Sequence, residues 1–553
     1  ILEAHEWANY SRNAPSGDSS PAMICLLIHI IMTSKEMISM GKKEGAVKSA
    51  AVIDIGSGEI RLKIAQSGKG GIKVLDTASY PLGLGRETFT VGRISFSKAD
   101  KACDIIRQYM KLAQEYGTDA VRVIATSAIR EATNREYVLE QIRLRTSAMV
   151  DIIDSQAEKA YLYKMMLGAA DAESTRSALM VHIGSGTMGV SVVENGRVPY
   201  NRNVRLGSLR ISELFEDMQE YSREFQLVVE EYLRSFTDAI EPFLPNAIKS
   251  FIATGNEISL IGDLCGAETR GRVLYVKQEA FDKLYSDIKY KSVNRLMEDY
   301  GLTQEKAELL LPAMCLYDGL FAHTQADTIA APVISLSDAL LFEMLDPAGF
   351  HSLSAVLDES TLLSCHAIAQ KFECRRDHYE TVLHLAIKIF DKMKKLHGLG
   401  ARERLLLQCA AILHDCGKFI NSHAHYQHSY NIIQGVDIVG LDLREIEIVA
   451  SAALYHSRIV PAPTHENYQN LTRTERVTVS KLSAILRLAD ALDRGHAQKV
   501  REFEVKLSDG ALVITASSTR NMELEEWSFH EKSKFFEDVY GIEAIIKTKR
   551  INQ

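Results

Sequence analysis

Apolar and polar residues alternate along Ala51–Gln66 (AVIDIGSGEIRLKIAQ). The β-branched Val52 and Ile53 lead into Asp54-Ile55-Gly56-Ser57-Gly58, and Ile60, Leu62 and Ile64 resume on every second position. A period of two on both sides of a glycine-rich turn predicts strand, tight turn, strand. Leu179–Val190 (LMVHIGSGTMGV) repeats the arrangement more than a hundred residues later. Between the two, Ala99–Tyr116 has helical apolar spacing. Ala120–Ala125 reads as a buried strand ending in Thr126-Ser127-Ala128-Ile129-Arg130, and Val150–Ile153 as another, ending in SQAEKA (155–160). Beyond the second turn come a strand pair through Pro199, RLGSLR (205–210), a long amphipathic helix, and a strand at Phe251–Ala253 that ends in Thr254-Gly255-Asn256-Glu257. From about residue 360 the spacing turns helical, as in 380–396 and 403–415. Alternation returns in the last fifty residues, with a turn at Asp509-Gly510. That predicts a small α+β cap with no catalytic constellation.

Small residues and backbone N–H groups in a glycine turn let a phosphate approach the main chain, and Asp54 can hold a hydrated cation beside it. For one turn alone the simpler reading is a hairpin whose glycines satisfy positive φ. Two such turns favour two half-domains facing one another across a nucleotide or phosphate cleft.

A chain of 553 residues is too long for one core and implies three to four domains. The net charge of -8 offers no electrostatic case for nucleic acid, so an anionic ligand needs local cationic sites. Eight cysteines without CxxC spacing fit a reduced, cytoplasmic protein without a thiolate zinc site. The apolar run 22–32 is too short to span a bilayer. Residues 1–46 are expected to be a disordered leader, and no membrane partner is expected.

In order along the chain, DIGSGE (54–59), ATSAIREATNR (125–135), SQAEKAYL (155–162), HIGSGTMG (182–189), RLGSLR (205–210) and ATGNE (253–257) resemble the exopolyphosphatase / guanosine pentaphosphate phosphohydrolase (Ppx/GppA) family. GLTQEKAELLLPAMCLYDGLF (301–321) and PVISLSDALL (332–341) extend the resemblance over about 48–345. It implies an α/β, actin-like (ribonuclease-H-like) duplicated domain, with subdomains at 47–165 and 166–345. The implied activity is metal-dependent release of a terminal phosphate from polyphosphate or guanosine pentaphosphate. By position Glu158 takes the catalytic carboxylate, Asp54 the metal-side aspartate, and Arg130 a phosphate-pairing arginine. Gly56, Ser57 and Gly58 match one phosphate loop; Gly184, Ser185, Gly186 and Thr187 match the other.

The departures from the pattern bear on the cation. Where the resemblance places Asp and Glu in the second loop, this chain has His182 and Gly189. The second glutamate of the catalytic pair is Lys159, and the later S-L-R-D-G segment carries Ser337 and Ala339. Imidazole is a poor magnesium ligand and glycine is none, so the implied Mg2+ site in the cleft is weakened.

The helical half carries His378, His414-Asp415, His425, His428, His456 and, within LRLADALD, Asp490. LLLQCAAILHDCGKFI, HAHYQHSYNII, LYH and ILRLADALDRGH resemble the HD metal-dependent phosphohydrolase segment of long family members. That implies an all-α HD domain at 360–500, followed by the cap at 501–553. His378, His414, Asp415 and Asp490 would hold one divalent metal, and His425, His428 and His456 are candidates for a second, bridged through Asp415. Mixed imidazole and carboxylate ligands suit Mn, Fe, Co, Ni or Zn. Lys418 is placed to contact phosphate. The resemblance also implies a homodimer through the helical half. Three readings follow: a Ppx/GppA-type hydrolase acting in the cleft, an HD-type nucleotide phosphohydrolase with a degraded cleft, and a non-catalytic nucleotide or polyphosphate sensor.

Overall fold

The computed structural model describes residues 48–551 apart from 70, 170–172, 216–221, 241–243, 246 and 509. The expected leader at 1–46 lies outside the described residues, as does Asp509 of the last turn.

The two glycine turns occupy equivalent places in two sheets of the same order. Strands β1 (Ser49–Ile55), β2 (Glu59–Gly68) and β3 (Gly71–Pro81) form an antiparallel meander. β4 (Ala120–Ala125) and β5 (Val150–Ile152) then add in parallel to β1, giving β3-β2-β1-β4-β5. In the second sheet, β6 (Ser177–Ile183), β7 (Met188–Glu194) and β8 (Arg197–Val204) repeat the meander, and β9 (Ser250–Gly255) lies parallel to β6. The hairpin β10 (Glu268–Arg270) and β11 (Val273–Lys277) pairs with β12 (Thr328–Pro332), which joins β9 in parallel, so the order β8-β7-β6-β9-β12 matches the first sheet. This duplication is the topology that the actin-like expectation requires.

Central β1 is buried on both faces, which explains its unbroken apolar run. Ala51, Ile53 and Ile55 pack with helix Phe96–Glu115, while Ala50 and Val52 meet Leu336, Leu340 and Leu341. The helix Leu336–Leu345, expected with the second half, thus packs on the first sheet. Ser337 and Ala339 are fully buried in it. The expected boundary at 165/166 falls inside helix Ser155–Ala169, whose first turn is held by the Asp154 carboxylate accepting from the N–H groups of Gln156 (2.8 Å) and Ala157 (3.0 Å).

Helix Pro347–Lys371 leads into the helical half. There, helices Arg376–Lys392, Ala401–Leu413, Leu443–Leu454 and Arg473–Ala491 share one core with β13 (Glu502–Ser508), β14 (Ala511–Ser518), helix Glu523–Tyr540 and β15 (Glu543–Arg550). Phe503, Ile514, Phe529 and Phe536 sit in that common core, so the last fifty residues are continuous with the helices. No helix among the described residues is long and apolar enough to cross a membrane.

Residues 436–442 seat the helical half on the second sheet. Asp437 accepts from the backbone N–H of Asn203 (2.9 Å) and from the Gln156 amide. Val439 is buried with Tyr163, Met166 and Met180. Gly440 has φ +78°, and a Cβ there would lie 2.8 Å from Thr361 Oγ1 and 2.9 Å from Leu357 Cγ. Gly440→Ala is therefore expected to cost about 2–4 kcal/mol, from positive φ together with overpacking. Thermal unfolding should show this as a lower Tm, and an unchanged Tm would refute the tight seating.

Candidate functional site

A cavity of about 580 Å3 opens between the two sheets, lined by Asp54, Gly56, Ser57, Gly58, Glu158, His182, Gly184, Ser185, Gly186 and Thr187 among others. None of the four turn glycines has positive φ. The simpler hairpin reading is thereby corrected, because these residues are glycine for close approach. A Cβ on Gly58 would lie 3.1 Å from Glu305 Oε1 of the opposite half. One on Gly186 would lie 2.9 Å from Ser127 Oγ and 2.8 Å from Phe89 Cζ. Ser127 also shares a hydrogen bond with Ser57 (3.0 Å), so it sits between the two turns. The turn carbonyls are used alike: Gly85 N–H donates to Ser57 O (2.8 Å), and Arg210 N–H to Ser185 O (3.0 Å). Arg210 also pairs with Glu131 across the halves (2.7 Å).

Asp54 Oδ1 is buried without a partner, and burial pushes the carboxyl up to about 6 against the pull of Arg61. Glu158 projects from the first turn of its helix, 4.0 Å from Arg130 Nη1. Arg130 itself is absent from the cavity wall, and its guanidinium donates to Ile153 O (2.7 Å), so it braces Glu158. Glu257, at the end of β9, is a cavity residue to which the sequence reading gave no role. Its Oε2 is buried without a partner, and burial pushes it up to about 7.

The fit for magnesium differs between the halves. Asp54 offers a free carboxylate oxygen. In the second half, His182 Nδ1 is tied to Thr254 Oγ1 (2.9 Å), and burial holds the imidazole well below its usual pKa. Gly189 offers no ligand, and the Lys159 ammonium lies 3.5 Å from Thr187 Oγ1. The turn of the second half thus presents a cation where a metal would need carboxylates.

The second centre lies in the helical half. His378, His414, Asp415, His456 and Asp490 are buried, and their ligating atoms converge. His378 Nε2 is 3.3 Å from His414 Nε2, 3.5 Å from Asp415 Oδ2 and 3.4 Å from Asp490 Oδ1. His414 Nε2 is 3.7 and 3.8 Å from those two oxygens. Ligand atoms bound to one ion at roughly 2.0–2.3 Å lie about 3.3–3.8 Å apart, the range of these separations. The other oxygen, Asp415 Oδ1, faces His425 Nε2 (3.5 Å) and His456 Nε2 (3.9 Å), which are 3.3 Å apart. One carboxylate therefore spans two groups of imidazoles. His428 is half-buried one turn beyond His425 and belongs to neither group.

Each imidazole is oriented through its other nitrogen. His378 Nδ1 bonds Asp493 (2.8 Å), and the Nδ1 atoms of His414, His456 and His425 face the carbonyls of Ala411 (2.8 Å), Ala453 (2.5 Å) and Ser422 (3.2 Å). Burial holds His414, His425 and His456 below the usual pKa, in the neutral form that binds metals. His378 is the exception. Burial lowers it, but Asp490 and Asp493 prevail and draw it up to about 9, so an entering cation would displace its proton.

Sequence reasoning missed three residues here. His496 stacks on His378 with centroids 3.6 Å apart and belongs to a candidate ligand group with His378 and Asp415. Asp493 orients His378. Lys532, on helix Glu523–Tyr540, pairs with Asp490 Oδ2. The last of these brings one side chain of the final fifty residues, expected to form a cap with no catalytic constellation, into contact with the centre. Lys418 Nζ lies 2.5 Å from Asp415 Oδ2.

Asp54 allows a test by pH. Its folded pKa of about 6 exceeds the unfolded value of 3.8, so its ionisation costs stability that grows from about pH 4 to pH 6, is full above pH 6 and is small below about pH 4. Asp54→Asn should stabilise the protein by about 3 kcal/mol at pH 7–8 and leave it unchanged near pH 4. Denaturant titrations at the two pH values measure this, and a pH-independent difference would refute the buried, unpaired carboxylate.

The chain is similar to several known proteins. The curated relatives include the guanosine-5'-triphosphate,3'-diphosphate pyrophosphatases of Photobacterium profundum (19% identical over 480 residues, 84% of this chain and 91% of the relative) and Aeromonas salmonicida (20% over 471 residues, 84% and 92%). Among solved structures, an exopolyphosphatase from Cytophaga hutchinsonii is 19% identical with a TM-score of 0.48, over 54% of this chain and 98% of that one. An Aquifex aeolicus Ppx/GppA phosphatase is 18% identical with a TM-score of 0.43, over 54% and 100%. The family model for Ppx/GppA phosphatase, domain III, matches residues 362–532, and that for the Ppx/GppA phosphatase family matches 63–347, more than half of the chain. The chain belongs to the Ppx/GppA phosphatase family.

Proposed function

We propose that the protein is a phosphoanhydride hydrolase that releases terminal phosphate from guanosine pentaphosphate or inorganic polyphosphate held between the two glycine turns. The observation that carries this reading is the convergence of both turns, Asp54 and Glu158 on one cavity at the ends of equivalent strands. Turn N–H groups face phosphate oxygens, and Glu158, braced by Arg130, orients the attacking water. The curated relatives act, by name, on a guanosine triphosphate diphosphate, which supports the substrate class.

A second reading is favoured by the convergence of four imidazoles on Asp415 and Asp490. Here the helical half is an HD-type centre acting on a nucleotide phosphate. His378, His414, Asp415 and Asp490 would hold one divalent ion of the Mn, Fe, Co, Ni or Zn kind, and Asp415, His425 and His456 a second. Such ions activate water and withdraw charge from phosphate. Asp493 fixes the His378 ring, and Lys532 occupies Asp490 Oδ2 so that Oδ1 alone faces the imidazoles.

Phosphate release from guanosine pentaphosphate and polyphosphate separates the readings. On the first, Glu158→Gln lowers kcat by about 100-fold or more and Asp415→Ala leaves it within about three-fold. The opposite pattern moves the chemistry to the helical half. Ligand binding without turnover in any form leaves a sensor.

Metal content tests the second centre directly. Asp415→Ala should abolish stoichiometric divalent metal, measured by plasma mass spectrometry. Lys532→Met should weaken metal affinity about 10–100-fold, with Lys532→Arg recovering part of it. Equal metal affinity in all three proteins would sink the assignment of Lys532 as a positioning residue.

A further inference from the structure

Three positions at which the family resemblance places carboxylates have changed together, and in the structure they touch. His182 and Gly189 are cross-strand partners on β6 and β7. Lys159 lies over the same point: a Cβ on residue 189 would be 2.9 Å from Lys159 Cε and 3.0 Å from Cδ. Lys159 can hold its present course only if residue 189 has no side chain. Its stem crosses the strand at Gly189, and its ammonium ends 3.5 Å from Thr187 Oγ1, within the second glycine turn. The residue is 1% exposed, and Thr187 is the nearest polar side chain bonded to it. His182, held by Thr254, does not compete for an anion or a metal at neutral pH.

We propose that the Lys159 ammonium takes the place of a divalent cation in the second half of the cleft, so that the cleft holds phosphoanhydride anions without a divalent metal. This rests on reading the cleft as a phosphate site. A buried ammonium behind the Gly184–Thr187 turn supplies fixed positive charge next to turn N–H groups, in a low-dielectric setting where it is felt strongly. It also repels a dication from the same place. Burial draws the Lys159 pKa down to about 8 while Glu158 opposes the fall, so the charged form prevails at neutral pH.

The carboxylates of the cavity do not cancel this charge. Glu59 pairs with Arg61, Asp338 with Lys63 (2.9 Å), and Glu158 stands by Arg130 (4.0 Å). Burial shifts Glu257 toward its neutral form, and Asp54, ionised at neutral pH, lies by the first turn under the pull of Arg61. Glu305, also raised by burial, faces Gly58 of the first turn and not the Lys159 side.

The test is calorimetric binding of inorganic tripolyphosphate to the full chain, once in excess EDTA and once in excess Mg2+. EDTA strips the His/Asp centre, so binding in that arm reports the cleft. The expected result is an affinity in EDTA within about three-fold of that in Mg2+, with Lys159→Met weakening the EDTA-arm affinity at least about ten-fold, as loss of a fixed charge in a low-dielectric setting does. Lys159→Glu, which returns a carboxylate, should make binding depend on Mg2+. Binding that requires Mg2+ in the unaltered protein overturns the proposal and leaves the cleft a phosphate site. Binding in EDTA that survives Lys159→Met also overturns it. Binding in neither arm removes the phosphate reading of the cleft and the proposal with it. The comparison of the two arms on unaltered protein stands even if a variant fails to fold.

Discussion

A buried carboxylate must be surrounded by positive charge or hydrogen-bond donors, and Asp415 is where the helical half meets that constraint. Burial works against its ionisation, yet its surroundings, with the Lys418 ammonium 2.5 Å from Oδ2, outweigh burial and hold it well below the usual carboxylate range. Much of the local architecture follows from the need to bring those partners together. His378 comes from one helix, His414 and Asp415 from the end of a second, His425 from the start of a third, and His456 from just beyond a fourth. Gly417 must be glycine beside it, because a Cβ there would lie 2.0 Å from His425 O. Asp490 is served in the same manner: Lys532 and His378 overcome its burial.

The cleft shows the same physics with another outcome. Where the helical half sets Lys418, Lys532 and the raised His378 against its buried carboxylates, the cleft leaves one oxygen each of Asp54 and Glu257 without a hydrogen-bond partner and lets burial raise both. Its deeply buried cation, Lys159, is built from the chain itself. Two centres in one protein thus treat negative charge in opposite ways, and only one of them has the ligand set of a metal site among the described residues.

Local pattern carried the fold well where it determined structure alone. Ala120–Ala125 is a strand over the span that its β-branched run predicts, and the two glycine turns sit between strands as period two requires. The metal-type residues were legible through the resemblance to the HD segment, since a single histidine on a helix does not by itself distinguish a ligand from a core residue. Long-range contact was not legible. Lys532 lies on a helix with many charges, and no local feature distinguishes it from a solvated lysine. Gly58 and Gly186 were legible as glycines, but the reason for them is a neighbour from the opposite half. The packing of Leu336–Leu345 on the first sheet was hidden likewise, because an apolar helix does not announce which sheet it covers.

The two centres also share a scaffold. Glu158 and Gln156 lie in the first turn of one helix, and Gln156 bonds both Asn203 and Asp437. Asp437 follows the helix that begins at His425, and Asp442 caps the helix that ends just before His456. Residues 436–442 therefore join the helix that begins at His425 to the helix that ends just before His456, and the same seven residues are wedged against the helix of Glu158 through Asp437 and Val439. Interiors packed at crystal-like density do not let such a segment shift without moving both neighbours. The segment between the second imidazole pair is thus held from both sides, by Ile438 and Leu441 in the core of the helical half and by Asp437 and Val439 against the helix of Glu158.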